Sequence, residues 1–406
     1  MSPTVVLLGT LDTKAEEYAF VRDRLLSAGV EVLVVDTGVL GTPGIPADVD
    51  RSSVAGAGSA DLQHLQAAGD RGAAVTAMAA GAAVVVRRLY DEGRCDGALA
   101  LGGTGGTSIA AAAFRELPLG VPKVIVSTAA SGETSAYVRE TDLVLMPSVV
   151  DVAGVNRLSA RILANAAAGV AGMVLAAPVT TTAGVPLLAA SMFGVTTPAV
   201  DSARARLTEL GYEVLVFHMT GVGGRTLESL AASGQLAGVL DLTTTELADE
   251  LVGGVFSAGP TRLTAAGQAG IPQVVSVGAL DMVNFGPLGT VPEQFEDRHL
   301  FVHNPSVTLM RTTPEECAEL GRRLATRLNA STGPVALLLP LRGVSAIAVE
   351  GGVFHDPAAD AALFGAIRET VDRSVVELVE LDAAINDEAF AHAAADKLNA
   401  YLQKES

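Results

Sequence analysis

A run of glycine and hydroxyl residues near position 100 is the strongest sign of ligand chemistry in the sequence. It follows the apolar segment 98–101, precedes an alanine-rich segment and reads Gly102, Gly103, Thr104, Gly105, Gly106, Thr107. Glycines let a backbone approach a phosphate closely, and a helix start presents free amides and a positive dipole end. The run therefore predicts an anion site. The alternative is a glycine turn needed only for close helix packing.

A second loop of small residues follows the next apolar segment, 123–127, and we expect it beside the glycine run. Its polar and small members are Ser127, Thr128, Ser131, Gly132 and Glu133. Small residues keep a cleft open, although turn formation alone explains them equally well. The glycine run and this loop together form the predicted nucleotide site. The run is not a Walker A sequence, because no Lys-Ser or Lys-Thr pair follows its glycines.

The second half of the sequence offers further glycines and hydroxyl residues after apolar segments. These residues are predicted to bind substrate or phosphate: Thr196, Gly221, Gly223, Gly224, Arg225, Thr243, Thr244 and Asn284. An arginine can bind a phosphate or a carboxylate with two hydrogen bonds. An arginine at a helix start is also often only solvated, so both interpretations of Arg225 stay open.

Three acids in the second half are candidates for catalysis, and the general base among them is unassigned. Asp241 and Glu246 flank a threonine run, where carboxylates can hold a magnesium ion that balances phosphate charge. Helix capping by the threonines and Glu246 is the alternative. Asp281 is a polar residue in an apolar setting, which favours a site. No metal ligand is assigned from these residues.

Other chemistries find less support in the sequence. His299 and His303 have the spacing of a metal pair, but the residues between them suit a strand equally well. Asp36 ends the second apolar segment, where an acid can bind a ribose, yet the loop 9–12 lacks the dinucleotide fingerprint. A Ser/His/acid triad is disfavoured, because the sequence has no Gly-x-Ser-x-Gly elbow and few histidines.

The elements that must position these loops form a repeat. Segments 5–8 and 31–35 are predicted strands on either side of a helix that ends at Gly29. The same pattern returns with Gly211 in the place of Gly29, 182 positions later. We therefore predict two Rossmann-like, doubly wound α/β domains with mainly parallel sheets and a cleft between them. The domains are expected to span residues 1–180 and 186–406.

Length and composition agree with this architecture and exclude several classes of partner. At 406 residues the chain exceeds what one hydrophobic core supports, and 49% of it is hydrophobic. A net charge of −18 argues against duplex nucleic acid or an anionic membrane as the partner. Two cysteines imply a reducing compartment, and the start lacks the pattern of a signal peptide. A cytoplasmic protein is expected.

At the predicted ligand loops the sequence resembles the Tm-one-like ATP-binding family, whose best known member is a plant inhibitor of tomato mosaic virus replication. The matching blocks are 101–108, 122–132, 192–198, 221–225 and 278–287. The resemblance extends over nearly the whole chain, from the loop that begins at Gly9 to the segment 385–390.

The resemblance implies that the chain binds ATP, which we expect to be accompanied by magnesium. In the plant member the corresponding region has two subdomains and precedes a TIM barrel similar to enzymes of phosphoenolpyruvate chemistry. The expectation is an ATP-dependent enzyme or enzyme subunit that acts on a small carboxylate or carbonyl compound with a separate TIM-barrel partner. A non-catalytic, nucleotide-responsive binding protein and a sugar-nucleotide enzyme are the alternatives.

The resemblance also implies a homodimer or a higher homo-oligomer, because relatives associate through their ATP-binding regions. The alanine-rich segments 72–86 and 154–174 support this expectation, since they carry small residues on nearly every helical face. Enclosure of these helices within one chain is the alternative.

Overall fold

The polypeptide folds into two units, Met1–Val179 and Thr180–Ser406, each with its own parallel sheet. The computed structural model describes residues 2–177 and 184–405. The predicted domain boundary, at residues 180–186, lies largely outside the described residues.

The first unit is a parallel five-stranded sheet with helices on both faces. Its strands are β1 (Thr4–Gly9), β2 (Glu31–Asp36), β3 (Gly97–Gly102), β4 (Lys123–Ser127) and β5 (Val144–Pro147). Its helices are α1 (Ala15–Ser27), α2 (Arg51–Ala57), α3 (Leu62–Ala68), α4 (Arg71–Asp91), α5 (Thr104–Phe114), α6 (Ser135–Val138) and α7 (Ser159–Leu175). The strand order is β2-β1-β3-β4-β5, so the direction of winding reverses between β1 and β3.

Both faces of this sheet are covered, which explains why its strands read as nearly continuous apolar runs. α1 and α7 pack on one face, where Tyr18 and Val170 belong to the core. α2, α4 and α5 pack on the other face, where Met78 and Phe114 are buried. The first unit is therefore doubly wound, as predicted.

Among the described residues one helix, α4, has the length and the apolar composition of a membrane span. It contacts α2 and α5, and its side chains Met78, Val85 and Leu89 are buried in the core of the first unit. Burial of this kind is typical of the core helix of a globular domain. For the alanine-rich segment 72–86, the alternative of enclosure within one chain agrees with this packing.

The second unit has a six-stranded parallel sheet and a small antiparallel sheet. Its strands are β6 (Leu187–Met192), β7 (Glu213–His218), β8 (Gly238–Thr243), β9 (Gln273–Gly278), β10 (Met282–Phe285), β11 (Leu300–Asn304), β12 (Val307–Arg311), β13 (Val335–Pro340) and β14 (Val376–Leu381). Its helices are α8 (Thr197–Glu209), α9 (Val222–Ala232), α10 (Glu246–Val252), α11 (Ala265–Gln268), α12 (Pro314–Asn329), α13 (Pro357–Thr370) and α14 (Glu388–Glu405). The parallel order is β7-β6-β8-β9-β13-β14, and the antiparallel order is β10-β12-β11.

The two units share the order of their first five parallel strands, which confirms the repeat seen in the sequence. α8 and β7 begin at residues 197 and 213, which is 182 positions after α1 and β2 begin at residues 15 and 31. The antiparallel sheet β10-β12-β11 has no counterpart in the described part of the first unit. His303 lies in β11 and His299 immediately precedes it, so the strand interpretation of the residues between them is confirmed.

Candidate functional site

The predicted glycine run forms the junction between β3 and α5. β3 ends at Gly102, and α5 begins at Thr104 with Gly103 as its N-cap residue. Glycine has no side chain with which to cap a helix, and the first-turn amides of a helix have no intrahelical acceptor. The junction therefore offers backbone N–H groups and the positive end of the helix dipole to a ligand.

A cavity of about 520 Å³ lies at this junction, at the carboxyl ends of β1 and β3. These are the two strands between which the winding reverses, and open α/β sheets bind ligands at such a position. The wall includes four glycines of the run, namely Gly102, Gly103, Gly105 and Gly106. Its other polar residues are Thr10, Asp12, Thr13, Lys14, Thr37, Asp70, Arg71 and Asp151.

Two helices begin at this cavity, and two cations line it. α4 begins at Arg71, and its N-cap residue Asp70 accepts a hydrogen bond from the N–H of Ala73 at 3.0 Å. Lys14 donates from Nζ to the carbonyl oxygen of Val152. Three carboxylates, Asp12, Asp70 and Asp151, also line the cavity, and Asp70 already caps α4. The part of the wall suited to an anion is therefore the first turn of α5 together with Lys14 and Arg71.

Packing inside the protein does not explain three of the four glycines. A Cβ atom at Gly103, Gly105 or Gly106 would meet its nearest neighbour at 3.7, 3.5 or 3.6 Å, which is ordinary van der Waals contact. These three described glycines also have none of the positive φ angles that require glycine. Only Gly102 is tight, because its Cβ would lie 3.3 Å from Gly106 Cα. The close-packing alternative therefore covers Gly102 alone.

Tyr18 fixes the distance between the two strands that carry the cavity. Its hydroxyl lies 2.7 Å from the carbonyl oxygen of Leu8 and 2.8 Å from that of Leu101. It also accepts the N–H of Leu101 at 2.9 Å. Burial raises the pKa of Tyr18 far above its usual range, so the phenol stays protonated and donates to one of the two carbonyls. A side chain at Gly9 would overlap this hydroxyl.

The Tyr18→Phe variant is expected to lose about 1–3 kcal/mol of stability, because the buried N–H of Leu101 loses an acceptor. Urea denaturation followed by circular dichroism measures the loss. The control is Tyr90→Phe, since the Tyr90 ring is partly buried beside Arg87, Phe keeps its packing against the core, and the change should cost less than about 0.5 kcal/mol. Equal stability of the two variants would contradict the role assigned to Tyr18.

The other residues of the predicted nucleotide site do not line the cavity. The hydroxyls of Thr107 and Ser127 are buried and bond to each other at 2.6 Å, so they hold the β3 and β4 loops together. Glu133 accepts the N–H of Ser135 at 2.8 Å and belongs to the exposed part of its loop. The remaining members of that set are exposed at the surface: Thr104, Thr128, Ser131 and Gly132.

The predicted phosphate loop of the second unit is occupied by the protein's own Glu246. Its Oε1 accepts the N–H groups of Gly221 and Gly224, at 2.7 and 3.1 Å, at the start of α9. A side chain at Gly224 would overlap this carboxylate, and one at Gly223 would overlap the carbonyl of His218. The prediction of a phosphate at these glycines is thus corrected. A carboxylate of the chain fills the position that an external anion would take.

Arg225, predicted to bind the same anion, donates from Nη1 to the carbonyl oxygen of Ser257 at 3.2 Å. This contact could not be predicted from local signals, because Ser257 lies in a loop more than thirty residues away. Arg225 therefore serves in part to join two loops of the second unit.

The two acids predicted to hold magnesium belong to a buried ion network around Arg262. The carboxylate of Asp241 accepts hydrogen bonds from both Nη atoms of Arg262, at 2.6 and 2.7 Å. Glu246 Oε2 accepts a hydrogen bond from Arg262 Nε at 2.7 Å. Glu228 completes the network, with its Oε1 at 3.2 Å from Arg262 Nη1. Burial raises the pKa of Glu246, whereas Arg262 and the loop amides oppose that shift. These carboxylates already share the one guanidinium of Arg262, and residues 2–177 and 184–405 contain no group of three or more His, Cys, Asp or Glu side chains that could hold a metal ion.

The remaining predicted residues of the second unit are buried and bonded within it. Thr196 and Thr243 share a hydrogen bond of 2.8 Å between their hydroxyls, and Thr244 donates to the carbonyl of Ser276 at 3.0 Å. These threonines hold neighbouring strand ends together and are closed to solvent.

Asp281 and Asn284 are likewise fully buried. Asp281 accepts the hydroxyl of Ser345 at 2.8 Å, and burial raises the pKa of Asp281 to about 6. Asn284 donates to Asp249 at 3.1 Å, and burial raises the pKa of Asp249 to about 7. Both acids bond to neighbouring polar groups, although Asp281 Oδ1 is buried without a described hydrogen-bond partner, and neither acid lines the cavity of the first unit.

Sequence reasoning missed Lys14 and Arg71 at the cavity and Arg262 in the second unit. Lys14 ends the loop after β1, so the rule that strand-end loops carry ligands was sufficient to find it. Arg71 begins a helix whose approach to the glycine run is a tertiary contact. Arg262 lies in an irregular loop, 259–264, without a local signal.

Comparison with known proteins identifies relatives over the whole chain. The models of the Uncharacterised protein family (UPF0261) match residues 3–178 with the N-terminal domain and 185–402 with the C-terminal domain. A UPF0261 protein of Clostridium tetani is 50% identical over 404 residues, covering 100% of both chains. One of Rhizobium meliloti is 47% identical over 391 residues, covering 96% of this chain and 97% of its own.

A plant relative is longer than this chain. The ToMV resistance protein Tm-1(GCR237) of Solanum lycopersicum is 41% identical over 424 residues, which cover 97% of this chain and 55% of the tomato protein. The chain thus spans about half the length of that relative. Among solved structures, a UDP-N-acetylglucosamine 2-epimerase covers 92% of both chains at 11% identity and a TM-score of 0.25, a level that carries no functional information.

Proposed function

The chain belongs to the Uncharacterised protein family (UPF0261), and on that premise we propose that it binds ATP in the cavity between β1 and β3 of its first unit. The observation that carries the proposal is the set of glycines Gly103, Gly105 and Gly106. Neither φ angles nor internal contacts require them, yet they line a cavity at a helix start. Close approach of a phosphate is the physical reason that remains.

The cavity wall contains both charged and apolar residues suited to a nucleotide. Lys14 and Arg71 are cations that neutralise phosphate charge beside the first turn of α5. The apolar part of the wall suits a purine base and comprises Val39, Leu40, Leu65, Val75, Met78 and Ile109. Its volume of about 520 Å³ falls within the range of small-molecule sites.

Magnesium would accompany the ATP and bind mainly to phosphate oxygens and water, as it does in most nucleotide sites. Asp151 lines the cavity and is exposed, so it can supply a carboxylate oxygen to such an ion. Oxygen donors of this kind are the ligands that magnesium prefers.

The proposal predicts a thermal shift. ATP with magnesium should raise the melting temperature by several degrees, since a ligand bound only to the native state adds about 2.7 kcal/mol at a hundredfold excess over Kd. Arg71→Gln should reduce the shift. Arg88→Gln, at the other end of the same helix and paired with Glu92 in solvent, is the matched control and should keep it. No shift at millimolar ATP would overturn the proposal.

For the reaction, we propose an ATP-dependent enzyme subunit that activates a small carboxylate or carbonyl compound together with a separate TIM-barrel protein. A non-catalytic, nucleotide-responsive binding protein is the second candidate. One observation favours it, because the acids Asp241, Glu246 and Asp281 are buried and bonded within the second unit. An assay for phosphate or diphosphate release from ATP, with candidate acids and the barrel protein added, separates the two candidates. Release supports the enzyme subunit, and its absence supports the binding protein.

We also propose a cytoplasmic homodimer or higher homo-oligomer. The cysteines Cys95 and Cys317 are both buried and free in the described chain, which suits a reducing compartment. Apolar side chains on the outer side of α7 support self-association, since Met173 and Leu175 are 45% and 50% exposed. Light scattering at micromolar concentration should give a mass above one chain of 41.2 kDa. A concentration-independent monomer would contradict the proposal.

A further inference from the structure

Four polar residues cluster where β1 and β2 end in the first unit: Asp12, Asp36, Thr37 and Arg51. Asp36 uses Oδ1 to accept two backbone N–H groups, at 3.1 and 2.8 Å. Asp12 uses Oδ2 to accept one backbone N–H group, at 2.8 Å. Each carboxylate is thereby fixed in orientation by the backbone, and its second oxygen is directed elsewhere.

Arg51 lies between the two carboxylates without a hydrogen bond to either. Its Nη1 is 3.8 Å from Asp12 Oδ2, and its Nε is 4.0 Å from Asp36 Oδ2. Hydrogen bonds between such groups are 2.7–2.9 Å long, so both gaps are about 1 Å too wide. The guanidinium and the two carboxylates attract one another but are too far apart for hydrogen bonds.

One polar atom of each residue is buried and has no hydrogen-bond partner within the described ranges. These atoms are Asp12 Oδ1, Asp36 Oδ2, Thr37 Oγ1 and Arg51 Nη1. The side chain of Asp12 is 3% exposed, and Asp36 is 1% exposed. Buried polar groups without partners cost several kcal/mol when they carry charge. Four such atoms in one place indicate that a polar ligand group completes the cluster.

The cluster is reached from the proposed ATP cavity. Asp12 and Thr37 line that cavity, whereas Asp36 and Arg51 line a second cavity of about 490 Å³. The cluster therefore forms a polar wall shared by the two spaces. A ligand in either one can present groups to it.

The donors and acceptors of the cluster select the chemistry of that ligand. A metal cation would be attracted by the carboxylates but repelled by Arg51. An anion would be attracted by Arg51 but repelled by the carboxylates. A hydroxyl group donates to a carboxylate and accepts from a guanidinium at the same time. We propose that the Asp12, Asp36, Thr37 and Arg51 cluster binds a pair of neighbouring hydroxyl groups of a sugar or polyol.

This inference rests on the proposed function in one respect, since the ribose of a bound nucleotide is one source of such hydroxyls. A separate polyol in the second cavity is the other source. Isothermal titration of the full chain with ATP and with 2′,3′-dideoxy-ATP, both with magnesium, tests the ribose. Titration with free D-ribose and with ribitol tests the separate polyol.

For the ribose source, dideoxy-ATP should bind on the order of 10- to 100-fold more weakly than ATP, because the site's polar groups would then be left unpaired. Thr37→Val and Asp12→Asn should each reduce the ratio of the ATP affinity to the dideoxy-ATP affinity. Thr37→Val removes a hydroxyl without a partner in the described structure, so the fold should tolerate it. Asp23→Asn, an exposed residue of α1, is the control and should leave the ratio unchanged.

For the polyol source, free ribitol or ribose should bind the wild type and not the Thr37→Val variant. Equal binding of ATP and dideoxy-ATP, with no binding of either free sugar, would overturn the inference while the proposed function stands. Binding of magnesium alone that is lost in Asp12→Asn would overturn it in favour of a metal site. Failure of ATP to bind, with ribitol bound, would remove the proposed function and leave this inference.

Discussion

The Arg262→Met variant is expected to lose about 3–5 kcal/mol of stability in the second unit. Arg262 is fully buried and pairs with Asp241 and Glu246 at hydrogen-bond distance. Removing one partner of a buried ion pair leaves uncompensated charge in a place that water does not reach. Since a domain is stabilised by only about 5–15 kcal/mol in total, the loss is a large fraction of what holds the unit folded.

The pH dependence of this loss of stability shows whether it comes from the unpaired carboxylate charges or from altered packing. Burial already raises the pKa of Glu246 and Arg262 opposes that shift, so removal of Arg262 raises the folded-state pKa of Glu246 further above its unfolded value. Groups of this kind stabilise the fold below the unfolded pKa and lose that contribution as pH rises through the folded pKa. The deficit of the variant should therefore be greatest near pH 8 and shrink toward pH 5.

Thermal and urea unfolding by circular dichroism at the two pH values measures this deficit. Arg342→Met is the matched control, because Arg342 pairs with Asp382 in solvent and its removal should cost less than about 1 kcal/mol. A deficit that is the same at pH 8 and pH 5 would assign the role of Arg262 to packing. Full stability at pH 8 would contradict the charge argument altogether.

The architecture was predictable because its signals are local. Apolar strands, helix-ending glycines such as Gly29 and Gly211, and the constant offset between them depend only on neighbouring residues. The same is true of β13 and β14, whose continuous and alternating apolar residues are local signals of strands. The antiparallel sheet was not predicted as a whole, because β10 pairs with β12 across the intervening residues 286–306.

The glycine runs show where sequence reasoning ended. Gly103 and Gly105 line an open cavity, whereas Gly221 and Gly224 bond to Glu246. Both runs follow a strand and begin a helix, so both satisfied the same rule for an anion site. The difference is a side chain about 25 positions away whose carboxylate reaches the helix start. Such a contact is set by tertiary packing, and no property of the run itself reveals it.

The same limit applied to the buried acids. Asp241 and Asp281 stood out because they interrupt apolar segments, and that pattern is shared by catalytic acids and by acids paired inside a core. The partner decides between the two roles. Arg262 and Ser345 supply those partners, and they lie 21 and 64 positions away in the chain.

The Gly105→Val variant should lose ATP affinity by about 100-fold or more while it remains folded. A Cβ atom at this position lies 3.5 Å from Val75 and 3.7 Å from Arg71, so the fold can accommodate a side chain. The new methyl groups would stand where a phosphate must approach the amides of α5. Gly105→Ala should give a smaller loss, about 10-fold, because it adds one carbon instead of three.

Isothermal titration with ATP and magnesium measures both variants, and urea denaturation checks that they are folded. The control is Gly365→Val in α13, where a Cβ meets nothing within 4 Å and no ligand is proposed. It should leave ATP affinity unchanged, although a branched residue lowers helix propensity slightly. A graded loss from alanine to valine ties affinity to the volume added at residue 105. Unchanged affinity in both variants would mean that the run serves packing alone, and the ATP proposal would lose the observation that carries it.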